Sequence, residues 1–280
     1  MSRKVAMITG CSSGIGRALA LELQRRGWQV FATARRLEAV ADLAGMDQLA
    51  LDVTDQQSID AGVAAVVQQA GRIDLLINNA GFGLMGPASE LPLGDLRRQM
   101  ETNVLGALAV AQAVVPHMLR QKSGCIVNVG SVAGVLITPF AGAYGASKAA
   151  LHALTDALRL ELGPLGITVV SLQPGGVVSS FGETASGLAA QALRADSAFA
   201  PIKASIEARA RTGQQGAMDA TEFARRVVNV LELPQPPAVV RIGTHSTRLP
   251  LLRWLLPVGW TDRILRKKFG LTQLGRPETR

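Results

Sequence analysis

Residues 7–16 read Met7-Ile8-Thr9-Gly10-Cys11-Ser12-Ser13-Gly14-Ile15-Gly16, and their reading decides the fold. A short apolar run, residues 5–9, ends in glycines spaced G-x-x-x-G-x-G. An apolar-periodic stretch over residues 15–26 follows at once. That is the pattern of a strand, a tight turn and a helix. Glycines at such a turn let the backbone come close to a pyrophosphate, and the helix behind them offers unpaired N–H groups and the positive end of its dipole. The glycines alone would also suit a plain tight turn. In this strand–turn–helix setting they point to a dinucleotide.

The alternation continues outward from the glycine loop. Strands are predicted over residues 30–34, 48–52, 74–78, 125–129, 167–172 and 239–242. Helices are predicted over 56–70, 93–120, 145–162 and 220–231. Strands alternating with helices build right-handed βαβ units, and hence one parallel sheet with helices on both faces. Two stretches break the rhythm. Residues 176–216 form an insertion rich in Ala, Gly and Ser after a strand end, where open α/β sheets bind ligands, so it is placed to cover a substrate. Residues 244–280 form a proline-interrupted apolar and basic extension. The expected organisation is a catalytic domain over 1–243 followed by that extension.

Composition narrows the function. The chain has 280 residues, 48% hydrophobic and 18% charged, which fits one α/β domain with a large core. The net charge of +8 is concentrated at the end, with nine Lys/Arg against two Asp/Glu from Arg241 onward and 20 against 19 before it. A basic stripe on the folded body is missing, which argues against nucleic acid as a partner. No apolar run reaches the ~18 residues of a spanning helix, and no secretory leader is legible. Cys11 and Cys125 read as free thiols in a cytoplasmic protein. His117, His152 and His245 share no metal-ligand spacing, so no metal site is expected and all three read as ordinary structural or surface residues.

Two further patterns carry chemistry. The second strand ends Thr33-Ala34-Arg35-Arg36. An NAD enzyme places a carboxylate about 20 residues past the glycine loop for the ribose 2′-hydroxyl; here that place holds Ala34, with Arg35 beside it. A guanidinium grips a 2′-phosphate that a carboxylate would repel. The plainer alternative is a solvated arginine pair. Farther on, Tyr144-Gly145-Ala146-Ser147-Lys148 puts a phenol and an ammonium four apart on one helix face. An ammonium favours a nearby phenolate, which suits a proton donor and acceptor for a carbonyl oxygen. Such a pair alone is more often a surface pair. Tyr144, however, is the only tyrosine in the chain, and it follows Ser131, which stands just past a predicted strand.

Taken together, these elements resemble the short-chain dehydrogenase/reductase family in its single-domain, Rossmann-type form. The likeness spans residues 5 to about 180. It rests on Gly10…Gly14…Gly16, Leu51-Asp52-Val53, Asn78-Asn79-Ala80-Gly81, Thr102-Asn103-Val104, Ser131, Tyr144…Lys148 and Pro174-Gly175. The resemblance implies that Tyr144 is the general acid/base, with Lys148 binding the nicotinamide ribose and lowering the tyrosine pKa. Ser131 would bind the substrate oxygen. Asn103 would interrupt a helix and hold a water that links Lys148 to solvent. The cofactor would lie on Gly10, Ser12, Ser13, Gly14, Ile15 and Gly16. Asp52 and Val53 would sit against its adenine, Asn79, Ala80 and Gly81 along the ribose, and Pro174, Gly175 and Val177 beside the nicotinamide. Ser179 would be a looser contact. The wording of residues 7–16, 131–134 and 138–140 is similar to the 17β-hydroxysteroid and retinol dehydrogenase branch, where a serine near Ser12 and an arginine near Arg35 meet the 2′-phosphate.

The resulting expectation is an NADP(H)-dependent oxidoreductase of a small, apolar alcohol or carbonyl, steroid-, retinoid- or lipid-like, assembled as a homodimer or homotetramer on its long helices. A noncatalytic NADP sensor would keep the glycine loop but has no reason to keep Asn103, Ser131, Tyr144 and Lys148 together. A sugar-nucleotide epimerase would favour a different glycine spacing and a larger C-terminal domain. Phe140 and Phe181 read as walls of an apolar pocket, and Met85 and Phe82 as packing residues. For the extension, packing over the cleft or an interface competes with peripheral membrane contact, because Trp254 and Trp260 stand beside Arg263, Arg266, Lys267 and Lys268.

Overall fold

The computed structural model describes residues 3–179, 193, 196–212, 214 and 216–275. Phe181 and much of the insertion lie outside the described residues. Seven strands form one sheet: β1 (Val5–Ile8), β2 (Gln29–Ala34), β3 (Asp47–Ala50), β4 (Leu75–Asn78), β5 (Gly124–Val129), β6 (Ile167–Leu172) and β7 (Val239–Val240). Their order is β3-β2-β1-β4-β5-β6-β7, and every pairing is parallel. The order reverses between β1 and β4, so a crevice opens there at the carboxyl ends of the strands.

The pleat sorts each apolar run onto two cores. Ala6 and Ile8 of β1 join Leu19 and Leu23 of α1 (Gly14–Arg25) and Phe223 and Val227 of α7 (Ala220–Leu231). Val5 and Met7 face the other way, toward Ile59 and Val63 of α2 (Gln56–Ala70), Val110 and Val114 of α4 (Gly106–Gln121) and Leu162 of α5 (Gly142–Leu162). A strand covered on both sides needs apolar residues at consecutive positions, and β1 is buried throughout. The doubly wound parallel sheet expected from the alternation is therefore present.

Several boundaries differ from expectation for identifiable reasons. β3 stops at Ala50, because Asp52 Oδ1 accepts from Thr54 N at 2.9 Å and turns the chain. β7 pairs only through Val239 and Val240. The predicted 93–120 helix is α3 (Leu93–Met100) and α4 joined by a π turn, Glu101–Leu105, which contains Asn103. By length and composition the Leu93–Gln121 helix could cross a membrane, which corrects the expectation that no segment qualifies. Val110, Ala111, Val114 and Met118 are buried against the sheet, so its apolarity serves the core.

The insertion contains a helix that its composition did not announce, α6 (Lys203–Thr212). The extension is not a loose appendage. Thr244 N donates to Gly176 O at 3.1 Å and Gly176 N to Thr244 O at 2.8 Å. Two helices follow, α8 (Arg248–Leu255) and α9 (Val258–Lys268), broken at Leu256-Pro257 as the proline required. Phe269, just past α9, is buried with Phe140, Ile202 and Ile206 in a small separate core. The extension is thereby packed against the segments that follow β5 and β6.

Candidate active site

The glycine loop is built by sterics and by two polar side chains beneath it. Gly10 has φ +74°, and a Cβ there would stand 2.9 Å from Ala80 Cα. Only glycine takes this conformation at so close an approach. Asn79 Nδ2 donates to Thr9 O and Gly10 O, both at 2.9 Å, while Thr9 Oγ1 accepts from the Asn79 and Ala80 amides at 3.0 Å. Asn79 thus fastens the loop to the end of β4, and its side-chain amide hydrogens are committed there. Ser12 and Ser13 are exposed at the mouth of α1, Gly14 and Ile15 are half-buried, and Gly16 is buried. Cys11 N donates to Thr33 O at 2.8 Å, which ties the loop to β2. Arg35, just past β2, is exposed, with no hydrogen-bonded or ion-paired partner among the described residues.

Asp52 and Val53 follow β3. One carboxylate oxygen of Asp52 holds Thr54, and Val53 is buried against Gly106. After β6, Val132 N donates to Pro174 O at 3.1 Å, Gly175 N donates to Ile242 O at 2.9 Å, and Val177 is 4% exposed. Ser179 lies against the glycine loop, where a Cβ on Gly14 would meet its own Cβ at 2.9 Å. These residues all follow the carboxyl ends of strands of the one sheet. The positive-φ loop at the start of α1 suits the pyrophosphate of a dinucleotide.

After β5, α5 starts at Gly142, earlier than expected, and puts Tyr144 in its first turn. Ser131 and Tyr144 are hydrogen-bonded through their side chains. Ser131 Oγ also accepts from Ala133 N at 3.1 Å. Lys148 is 5% exposed, its Nζ donates to Val129 O at 2.7 Å, and it lies 5.9 Å from the Tyr144 ring centroid. Asn103, in the π turn, accepts from Phe82 N at 3.0 Å and donates to Phe82 O at 2.9 Å and Ser147 Oγ at 3.1 Å. A water relay through this side chain would have to use its oxygen, because both amide hydrogens are taken. Underneath, Asn78 Nδ2 donates to Asn128 Oδ1 at 2.9 Å and Asn128 Nδ2 to Thr155 Oγ1 at 3.0 Å, a buried chain that locks β4, β5 and α5 together.

Burial governs the charges. It raises the Tyr144 phenol, against which the Ser131 hydrogen bond and the positive charge of Arg209 pull downward. Burial also lowers Lys148 to about 8. The ammonium of Lys148, which the resemblance implies favours the phenolate, faces Val129 O and the tyrosine ring, and the positive charge of Arg209 of α6 also acts on the phenol. Sequence gave no sign of Arg209, since α6 and the tyrosine meet only in three dimensions.

His152 was expected to be an ordinary structural or surface residue. It is half-buried, one turn beyond Lys148, and its Nε2 accepts from Ser131 N at 3.3 Å. The recurrence 144, 148, 152 on one helix face was the available signal. Burial, then the Lys148 charge, lowers its pKa to about 4. An unfolded histidine titrates near 6.5, so below that pH the unfolded chain binds the extra proton and folding stability falls as the pH drops toward 4. The expected loss between pH 7 and pH 5 is about 2 kcal/mol. Urea denaturation at both pH values should show that difference, and His152→Leu should remove most of it. Equal pH dependence in the two proteins would refute this assignment. Among the described residues no group of three or more His, Cys, Asp or Glu could hold a metal ion.

Comparison with known proteins bears on the family and the fold. A family model described as short chain dehydrogenase matches residues 4–187. A short-chain dehydrogenase/reductase from Pestalotiopsis microspora is 32% identical over 275 residues, 96% of this chain and 95% of its own. The NADPH-dependent 1-acyldihydroxyacetone phosphate reductase of Schizosaccharomyces pombe is 42% identical over 180 residues, 63% of this chain and 60% of its own. The crystal structure of a short-chain dehydrogenase from Streptomyces avermitilis superposes with a TM-score of 0.79 at 30% identity, over 97% of this chain and 98% of that one.

Proposed function

The chain belongs to the short-chain dehydrogenase/reductase family of oxidoreductases, and on that premise we propose that it is an NADP(H)-dependent enzyme interconverting an apolar alcohol with its ketone or aldehyde. The observation that carries this reading is the hydrogen-bonded Ser131–Tyr144 pair beside buried Lys148. A nicotinamide held along Pro174, Gly175 and Val177 would supply or accept the hydride. Tyr144 Oη gives its proton to the carbonyl oxygen in reduction and takes it back in oxidation. Ser131 Oγ, fixed through Ala133 N, donates to the same oxygen as it gains charge. The test is NADPH and NADH oxidation followed in parallel over a broad panel of ketones and aldehydes; no turnover with any of them would refute the reading.

NADP(H) over NAD(H) rests on Arg35 standing free where a carboxylate would discriminate against phosphate. The relative in Schizosaccharomyces pombe is by its description NADPH-dependent. A charge-assisted hydrogen bond contributes about 1.5–3 kcal/mol. Arg35→Ala should therefore weaken NADPH about 10- to 150-fold in a fluorescence titration and leave NADH unchanged. Wild-type protein binding both equally would exclude the preference.

The same reading makes this a cytoplasmic enzyme, joined as a homodimer or homotetramer through the helices that expose Leu105, Leu119 and Leu160, which analytical ultracentrifugation would read directly. It also touches membranes peripherally. The extension has two sides. Leu265 and Phe269 pack inward, whereas Trp254 is 85%, Leu255 69% and Trp260 65% exposed. Arg253, Arg263, Arg266, Lys267 and Lys268 stand among them. Near an anionic surface each cation adds about 1 kcal/mol. Full-length protein should sediment with vesicles containing phosphatidylglycerol at low salt and much less at high salt. Trp254→Ala with Trp260→Ala should lower that affinity about tenfold or more, or ~1.4 kcal/mol. Sedimentation that ignores both salt and the tryptophans would remove the membrane from this account.

A further inference from the structure

Two partly buried arginines are treated differently. Arg26 is 17% exposed and carries two counter-charges, Glu22 at 2.8 Å and Glu232 at 2.6 Å. Arg209 of α6 is half-buried and carries none among the described residues. Its Nε and Nη2 both donate to the single hydroxyl oxygen of Thr138, at 3.0 and 2.8 Å. Its guanidinium carbon stands 5.7 Å from the Phe269 ring centroid. A guanidinium has five N–H donors in a planar fork that matches a carboxylate or phosphate, and Thr138 engages only part of it.

The surroundings make this more than a surface arginine. Thr138 lies in the loop between Ser131 and Tyr144. Phe140, two residues on, is buried, held at φ +64°, and packed edge-on against Phe199. A phenylalanine in the left-handed region is costly and persists where packing enforces it. Ile202 and Ile206 complete an apolar wall. Burial disfavours the Arg209 charge, and the coupling with Tyr144 works in its favour, so guanidinium and phenol share one electrostatic environment. A cation withdrawn from water beside apolar side chains is stable when an anion meets it.

We propose that the missing anion comes with the substrate: the molecule whose carbonyl meets Ser131 and Tyr144 also bears a carboxylate or phosphate that Arg209 binds. This rests on the oxidoreductase reading above and deepens it, because it makes the substrate amphipathic and acidic instead of neutral. Thr138, in the loop between Ser131 and Tyr144, holds in register the guanidinium that α6 carries.

Two measurements test it independently. In calorimetric titrations, octyl phosphate and octanoate should bind the wild-type protein at least about tenfold more tightly than octanol. Arg209→Met, which keeps the stem and deletes the charge, should abolish that preference, and Arg209→Lys should restore part of it. In turnover assays with NADPH, aldehyde acids of four to ten carbons should exceed their methyl esters in kcat/KM at a favoured chain length. Arg209→Met should reduce the acids about tenfold or more and the esters by less than about threefold. Wild-type protein that binds octyl phosphate no better than octanol overturns the proposal, even if Arg209→Met does not fold. So does a preference that survives in folded Arg209→Met, or an equal loss on acids and esters, which would mark Arg209 as a purely structural clamp. If no aldehyde is turned over while octyl phosphate binding still depends on Arg209, the oxidoreductase reading falls and the anion site stands.

Discussion

Tyr144→Phe should lower turnover by about 100- to 10,000-fold on any substrate of this enzyme, while the affinity for NADPH stays within about threefold of wild type. The substitution removes one oxygen and keeps the ring on which Lys148 rests at 5.9 Å. It deletes the hydroxyl beside Ser131 that passes a proton to the carbonyl oxygen in the proposed reaction. Ser131 keeps its hold on Ala133 N, and its own amide keeps His152, so the loop should stay in place. Loss of a single neutral hydrogen bond costs about 1 kcal/mol, which limits the stability change. Steady-state rates, NADPH titration and thermal unfolding should separate the effects. A large rate loss with intact binding and folding supports proton transfer by Tyr144. Near-normal turnover would eliminate it as the acid/base, and a collapse of both binding and stability would mark it as structural.

Gly16→Ala should be nearly as damaging, through cofactor binding. Gly16 is the third glycine of the loop and sits in the first turn of α1. A Cβ there would stand 2.3 Å from Asn79 Nδ2 and 2.4 Å from Gly10 O. Neither neighbour is free to retreat. Asn79 Nδ2 is donating to Thr9 O and Gly10 O, and Gly10 is pressed against Ala80. One added carbon must therefore lift the glycine loop away from the β4 turn. If the shift breaks two backbone contacts to a phosphate at about 1.5 kcal/mol each, affinity falls roughly 150-fold. Overpacking itself costs about 1–3 kcal/mol of stability. NADPH titration and urea denaturation read the two losses separately. Wild-type affinity in the variant would show that the loop does not cradle the dinucleotide.

Most of the sheet was legible because a strand covered on both faces is largely apolar at consecutive positions, as residues 5–8, 75–77, 125–127 and 169–170 are. The glycine loop, Tyr144 with Lys148, and Ser131 were legible because chemistry fixes residue type and spacing within one loop or one helix face. The boundaries were less so. The start of α5 at Gly142 and the end of β3 at Ala50 depend on local hydrogen bonds such as that of Asp52 with Thr54. His152 stood in plain view at the next turn after Lys148, but an isolated histidine carries no label until its partner, the Ser131 amide, is seen.

By itself the sequence determined the doubly wound architecture and the order of the motifs, which follow from periodicity and short-range spacing, and its family resemblance pointed to Tyr144 and Lys148 as the candidate proton-handling pair. Only the tertiary structure decided what surrounds that pair. It set Asn79 to hold the glycine loop and packed the extension, through Phe269, against Phe140, Ile202 and Ile206. It also carried Arg209 from a helix that composition did not announce to the side of a tyrosine far away in the chain. The physical reason is range. Backbone propensity and helix-face spacing act over a few residues and are written locally, whereas a charge acts on whatever the fold brings within reach, and burial sets how strongly it is felt.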